Sequence, residues 1–255
     1  MISMAIEITL SDYERHALEE LRAWQQQMLS EPGLWNQATG GLQRRMNRMI
    51  PEKVHETVTT VIRQMTRAVL TGSSFTSSAV VTGQPLEVRE RLVREKLDLY
   101  RRTAAAEGGI TGAGGLILGL ADFPLLLSLK LKLLFEIAAL FGYSADDYTE
   151  RVYLLHVFQL AFSGDEHRRN VYVQMVGWHE QRQRLPESLE DFDWRTFQQE
   201  YRDYIDLVKL AQLVPIIGAP VGAIANHRLV DRLGRMALNA YRMRWFDSQR
   251  AMFGA

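Results

Sequence analysis

The chain has 255 residues, of which 47% are hydrophobic and 24% charged, enough for a sizeable core and too apolar for a disordered protein. Its 30 basic and 30 acidic residues cancel, so no overall field attracts polyanions, and we expect no nucleic-acid partner. Cysteine is absent. This excludes disulfides, thiol nucleophiles and cysteine metal sites, and it is compatible with a reducing cytoplasm.

The first half of the chain is predicted to be helical. Ser11 and Asp12 precede a first helix, and Pro51 suits the first turn of the next one. Between Gln84 and Glu107, apolar residues recur at intervals of seven, four, three and four: Leu86, Val93, Leu97, Tyr100 and Ala104. That stripe predicts an amphipathic helix.

A long apolar helix is predicted next, from Asp122 to Gly142. Asp122 can cap its N-terminus, Pro124 suits its first turn, and Gly142 can end it in the left-handed conformation. Apart from Lys130, the polar residues in its middle lie four apart in one narrow line: Ser128, Lys132 and Glu136. The other faces are apolar, which predicts a mostly buried helix.

Further helices are predicted after Asp146, Gly164, Asp193 and Pro215, and no strand-like alternation is long enough to indicate a sheet. The sequence therefore predicts an all-α protein. We expect a single multi-helix domain over residues 1–255, in which residues 1–17 form an N-terminal extension. Its expected features are a buried central apolar helix and a glycine-rich helical hairpin.

The most unusual segment is Gly108–Tyr143, which opens with six glycines among twelve residues. Each glycine costs a helix about 1 kcal/mol relative to alanine, and close backbone approach or a ligand usually offsets this cost. The segment lacks the ending of a phosphate-binding loop and follows no predicted strand. Gly115 and Gly119 are four apart, as are Gly218 and Gly222, so we expect these small-residue faces to pack together in a tight hairpin.

Non-enzymatic binding near a membrane is the first function that this pattern indicates. The nearly uncharged segment would engage lipid, an apolar peptide or a membrane protein, while Lys130 and Lys132 reach the headgroups. The predicted ligand-binding residues are Gly112, Gly115, Asp122, Lys132, Glu136 and Asn226. Asn226 is included because an amide on a small-residue face needs a hydrogen-bond partner. A scaffold that forms a homo-oligomer through the small-residue faces is a third, simpler possibility.

The alternative function is that of a hydrolase, metal-dependent in one version, built from His55, Glu56, Asp122 and Glu136. Carboxylates in apolar surroundings often have raised pKa values and act in catalysis. No histidine lies three to five residues from another, so a local metal signature is missing, and we predict no metal site and no cofactor. His156, within an apolar run, is predicted to be a hydrogen-bonded core residue, and His227 is predicted to pair with Asp231.

Three blocks of the sequence, in the same order, resemble the EcsC family of bacterial proteins. They are NRMIPEKVHETVT at residues 47–59, the segment Gly108–Tyr143, and VPIIGAPVGAIANHRLVDRLGRMALNAYR at residues 214–242. The resemblance runs from about Leu18 to about Trp245. It implies an intracellular protein that works near membranes, because the family is named for a protein encoded beside an ABC transporter. It carries over no catalytic residue.

The N-terminus shows no basic stretch followed by an apolar one, so we predict no secretory leader. We therefore expect a cytoplasmic protein that associates peripherally with the inner face of the membrane.

Overall fold

The computed structural model describes residues 10–30, 52–71, 79–113, 115–163, 165–186 and 218–253, and in these ranges it contains eight helices and no strand. The helices are α1 (Asp12–Leu29), α2 (Glu52–Thr71), α3 (Leu86–Ala113), α4 (Gly115–Leu140), α5 (Tyr148–Phe162), α6 (Asp165–Val176), α7 (Trp178–Arg184) and α8 (Gly218–Phe253). The predicted all-α fold is confirmed.

The longest helices, α3 and α8, pack against each other over most of their length. They are antiparallel, because Glu90 of α3 pairs with Arg242 of α8, while Arg101, further along α3, pairs with Asp231, earlier in α8. The C-terminal end of α3 and the first turns of α8 therefore lie toward the same end of the molecule.

Helix α4 returns alongside α3 in the opposite direction, so that the two helices form a hairpin. The Arg89 guanidinium donates to the Leu140 carbonyl, and the Tyr100 hydroxyl donates to Glu136, at a distance of 2.9 Å. The chain reverses between the end of α3 and the start of α4, in the glycine-rich part of the segment Gly108–Tyr143. The expected packing of Gly115 and Gly119 against Gly218 and Gly222 stays a prediction, since the contacts of these four glycines are not among those that the structure describes.

The predicted stripe of α3 is confirmed, since all five of its residues are buried. The interval of seven between Leu86 and Val93 contains Glu90, one helical turn after Leu86. Glu90 points into the core as well and is 0% exposed. The interruption in the apolar pattern therefore marks a buried charged residue and not a solvent-exposed position.

The start predicted for α4 is wrong. The helix begins at Gly115, so that Asp122 is not its N-cap and Pro124 lies inside the helix, beyond the first turn. The predicted end is confirmed. Gly142 has a φ of 96°, its N–H donates to the Ala139 carbonyl, and the Tyr143 N–H donates to the Ala138 carbonyl. These are the two bonds of a Schellman motif.

The remaining described helices cover this hairpin and α8. Helix α5 starts at the predicted N-cap region, with Asp147 accepting from the Thr149 N–H, and it is almost wholly buried. Helix α2 packs against α4 and α5, and α1 packs against α8 and α6. The helix predicted after Gly164 is instead the pair α6 and α7, which Gly177 separates. The helix predicted after Asp193 lies outside the described residues.

We expect Gly234→Ala to destabilise the protein by up to about 2 kcal/mol, because overpacking a core costs about 1–3 kcal/mol and alanine contributes back about 1 kcal/mol inside a helix. A methyl group on Gly234 would overlap both terminal methyls of Leu97, which is 3% exposed, where α3 and α8 approach each other. Gly177→Ala is the matched control, since no atom lies within 4 Å of the added carbon. Urea denaturation of both variants measures the difference. Equal stability of the two would contradict the close approach.

Candidate functional site

The predicted binding residues all lie on the α3–α4 hairpin and on α8. Gly112 is in the last turn of α3 and Gly115 is the first residue of α4. Asp122 is inside α4, and its side chain is outside the described details. The remaining three have described side chains: Lys132 is exposed, Glu136 is partly buried and Asn226 is buried.

Asn226 has the hydrogen-bond partner that its position requires. Its Oδ1 accepts from Nζ of Lys130 at 3.2 Å, and the two residues are 1% and 2% exposed. Lys130 therefore does not reach outward to lipid headgroups, and that expectation is wrong. Burying an ammonium group is costly unless polar groups surround it. This contact ties the middle of α4 to the third turn of α8.

Glu136 pairs with two side chains of α3. Its Oε1 accepts from the Tyr100 hydroxyl, and its Oε2 lies 3.0 Å from Nζ of Lys96. Burial, together with the bond to Glu136, raises the pKa of Tyr100, so the phenol stays a hydrogen-bond donor. This carboxylate does not have the apolar surroundings that the hydrolase alternative needs. The side chains of the other three hydrolase candidates are outside the described details: His55, Glu56 and Asp122.

The outward face of α4 runs from the turn that contains Pro124 to Lys132. Pro124, Leu125, Ser128 and Lys132 are exposed along this face, and Leu125 is 58% exposed. Inward-facing residues of the same turns are buried: Phe123, Leu127, Lys130 and Leu131. From Leu133 to Ala139 nearly every residue is buried. The prediction of a buried central helix therefore describes the C-terminal half of α4 better than the turns near Pro124.

A buried ion pair, which the sequence analysis missed, fixes α3 to α8. Arg242 donates through Nε and Nη2 to the two carboxylate oxygens of Glu90, at 2.6 Å each, and through Nη1 to Glu20 of α1 at 2.7 Å. The Tyr13 hydroxyl also donates to Glu90, at 2.7 Å. Burial disfavours the Arg242 cation, but the bonds to Glu90 and Glu20 outweigh this and raise its pKa.

Another cation, mostly buried, lies where α8 meets α5. Arg244 donates to Glu150 at 2.6 Å, and its guanidinium lies 3.6 Å from the ring centre of Tyr143 and 4.5 Å from that of Tyr153. The Tyr241 hydroxyl donates to the other Glu150 oxygen. Both carboxylate oxygens are thus satisfied, and the cation lies against aromatic faces that stabilise it. The cluster therefore holds α8 against α5.

The end of α4 is fixed in a similar way. Arg89, which is 5% exposed, donates to the carbonyls of Val81, Gln84 and Leu140. It thereby holds the connection before α3 against the C-terminus of α4, where unpaired carbonyls favour a cation.

The other candidates from the sequence have local roles. Asp231 pairs with Arg101 of α3 and with Arg235, so the predicted pairing with His227 is wrong. A surface groove of about 490 Å³ lies between the start of α5 and α7, away from every predicted site residue. Its lining consists of Tyr148, Thr149, His179, Arg182, Gln183, Leu185 and Pro186.

The described residues contain no group of three or more histidine and carboxylate side chains that could hold one metal ion. Within the same ranges, no helix has both the length and the apolar composition that crossing a bilayer requires.

We expect Arg242→Met to destabilise the protein by about 3–5 kcal/mol, because it leaves the fully buried Glu90 carboxylate without its main counter-charge. Arg182→Met is the matched control. It removes a pair with Asp147 in which the arginine is half exposed, and it should cost less than about 1 kcal/mol. Urea denaturation gives both values. Similar small losses in the two variants would show that the Glu90 pair does not fix α3 to α8.

His156 gives a pH dependence that can be tested. Desolvation of the partly buried imidazole lowers its pKa to about 4, and its Nδ1 lies 3.3 Å from Gln159 Oε1, so the predicted hydrogen bond is confirmed while the side chain keeps some exposure. The unfolded chain binds this proton near pH 6.5 and the folded chain only near pH 4, so stability falls as the pH falls between these values. We expect about 2 kcal/mol of this loss between pH 7 and pH 5.

His156→Gln should lack that part of the loss, while His227→Gln, which changes an exposed histidine, should keep it. Urea denaturation at both pH values measures the difference. An unchanged pH dependence in His156→Gln would contradict the assignment.

Comparison with known proteins agrees with the resemblance seen in the sequence. The profile of the EcsC protein family matches residues 15–246. The chain is 40% identical to Protein EcsC of Bacillus subtilis (strain 168) over 228 residues, which cover 89% of this chain and 94% of that protein. It is 28% identical to the uncharacterized protein YdbA of the same strain over 170 residues, 67% of this chain and 62% of that protein. No solved structure matches the chain significantly. With a profile match over most of its length and a relative of this similarity, the chain belongs to the EcsC family.

Proposed function

We propose that this protein is a non-enzymatic accessory protein that binds lipid, an apolar peptide or a membrane protein, peripherally at the inner face of the membrane. The observation that carries the proposal is the uncharged segment, Gly108–Ala121. It has fourteen residues without a charged side chain, and it lies where the chain reverses between α3 and α4.

The helices on either side of the uncharged segment support the proposal because buried residues and hydrogen bonds anchor them in the fold. Ala104 of α3 and Phe123 of α4 are both buried, one on each side of the segment. Further along, the bonds of Glu136 and Arg89 fasten the two helices to each other. A reversal held in this way can present its backbone and apolar side chains to a partner without rearranging the rest of the fold.

The outward face of α4 would extend the same binding surface. Leu125 is a large apolar side chain exposed close to the uncharged segment. Ser128 and Lys132 follow it on the same face, one and two turns further along. Lys132 has the length to place its ammonium among headgroups or acidic side chains while its aliphatic part stays on apolar surface.

The composition of the segment also fits reversible binding. Burying a large aliphatic side chain contributes about 1.5–3 kcal/mol. The segment contains five: Ile110, Leu116, Ile117, Leu118 and Leu120. Side chains of this kind are the ones that peripheral attachment to an apolar partner buries.

We expect Leu125→Glu to weaken flotation of the protein with membrane vesicles at least tenfold, because it puts a charge beside the uncharged segment. Val173→Glu is the matched control, since Val173 is a comparably exposed apolar residue, 54% exposed, but lies on α6. The measurement is the fraction of protein that floats as vesicle concentration is raised.

Two kinds of vesicle identify the partner. Binding to protein-free liposomes of bacterial lipid indicates a lipid partner, and binding only to membrane vesicles that retain their proteins indicates a protein partner. Failure to float with either kind, or equal weakening by the two variants, would overturn the proposal. Light scattering on the purified protein tests the separate expectation of a homo-oligomer.

A further inference from the structure

Helix α4 contains a break in its hydrogen-bond ladder. Pro124 lies in the third turn, where it has no N–H to donate to the carbonyl four residues earlier, that of Leu120. The proline ring also crowds this carbonyl, which kinks or weakens a helix at such a point. The segment before Pro124 is therefore joined to the rest of α4 by fewer backbone bonds than an unbroken helix would have.

A second, independent feature lies one turn further along. The Ser128 hydroxyl donates to the Pro124 carbonyl at 2.8 Å. A serine that bonds back to the carbonyl four residues earlier competes with the backbone bond and often bends the helix. Both features act on the same stretch of α4, between Leu120 and Ser128.

The helix is firmly held after this stretch and at its inner edge. Phe123 and Leu127 are buried at 0% and 1% exposure. The contact of Lys130 with Asn226 then ties the next turn to α8. Before Phe123, the residues Gly115–Leu120 include two glycines, which lower the helical stability of a short piece.

We infer that α4 is hinged at Pro124, so that Gly115–Leu120 opens away while Phe123 and the residues after it stay in place. The inference rests on the proposed function in one respect, since the moving piece belongs to the uncharged segment. Opening would present its backbone and apolar side chains to the partner, and closing would return the piece to the helix when no partner is bound.

Hydrogen exchange of the full chain, measured by mass spectrometry without any partner, tests the hinge. Pro124→Ala restores the missing N–H, so it should slow exchange of the backbone amides of residues 119–122, which donate within α4, at least tenfold. Ser128→Ala should slow the same amides about two- to threefold, which provides a second variant. Pro85→Ala is the matched control, because Pro85 precedes α3 and should leave these amides unchanged.

The hinge is overturned if residues 119–122 of the unchanged protein already exchange as slowly as residues 131–139. It is also overturned if neither α4 variant slows them. Vesicle flotation of Pro124→Ala is measured separately. Slower exchange with weaker flotation supports the hinge as part of binding, and slower exchange with unchanged flotation removes its role in binding. If the unchanged protein does not float at all, the proposed function fails while the exchange result still decides the hinge.

Discussion

The interaction on which the rest of the structure depends is the buried pair of Glu90 and Arg242. A carboxylate that is 0% exposed would destabilise the fold by several kcal/mol if it lacked counter-charges and donors. Here Arg242 binds both of its oxygens, and Tyr13 donates to one of them. Glu20 completes the partners of Arg242. A shift of α3 along α8 would break all of these bonds, so the pair sets the register of the two longest helices. The bond from Arg242 to Glu20 also sets the position of α1 beside them.

The polar and apolar groups are divided along the α3–α4 hairpin. At its base, charged side chains bond within the fold: Arg89 donates to the Leu140 carbonyl at the end of α4, and Glu136 contacts a tyrosine and a lysine of α3. Toward the reversal these bonds give way to the uncharged segment, Gly108–Ala121. A carboxylate that already has a tyrosine and a lysine is poorly suited to moving protons for a substrate.

Features that depend on neighbouring residues in the sequence could be predicted, and features that depend on a distant partner could not. Gly142 was predicted to end α4 because the left-handed conformation is a local property, and the stripe of α3 followed from helical periodicity alone. The start of α4 was misplaced since Pro124 fits a first turn as well as a kink. Glu90 and Lys130 were missed as buried charges, because each depends on a partner that is about a hundred residues or more away. Asn226 was expected to need a partner, but the sequence could not identify Lys130.

The most direct test of the account is the environment of one residue beside the uncharged segment. The chain has no cysteine, so Leu125→Cys and Val173→Cys can each carry a single environment-sensitive fluorophore. When bacterial membrane vesicles are added, the account predicts a blue shift and quenching by a lipid-linked quencher or by a labelled partner at position 125, with an unchanged aqueous spectrum at position 173. A probe at position 125 that keeps its aqueous spectrum, or equal shifts at both positions, would contradict it.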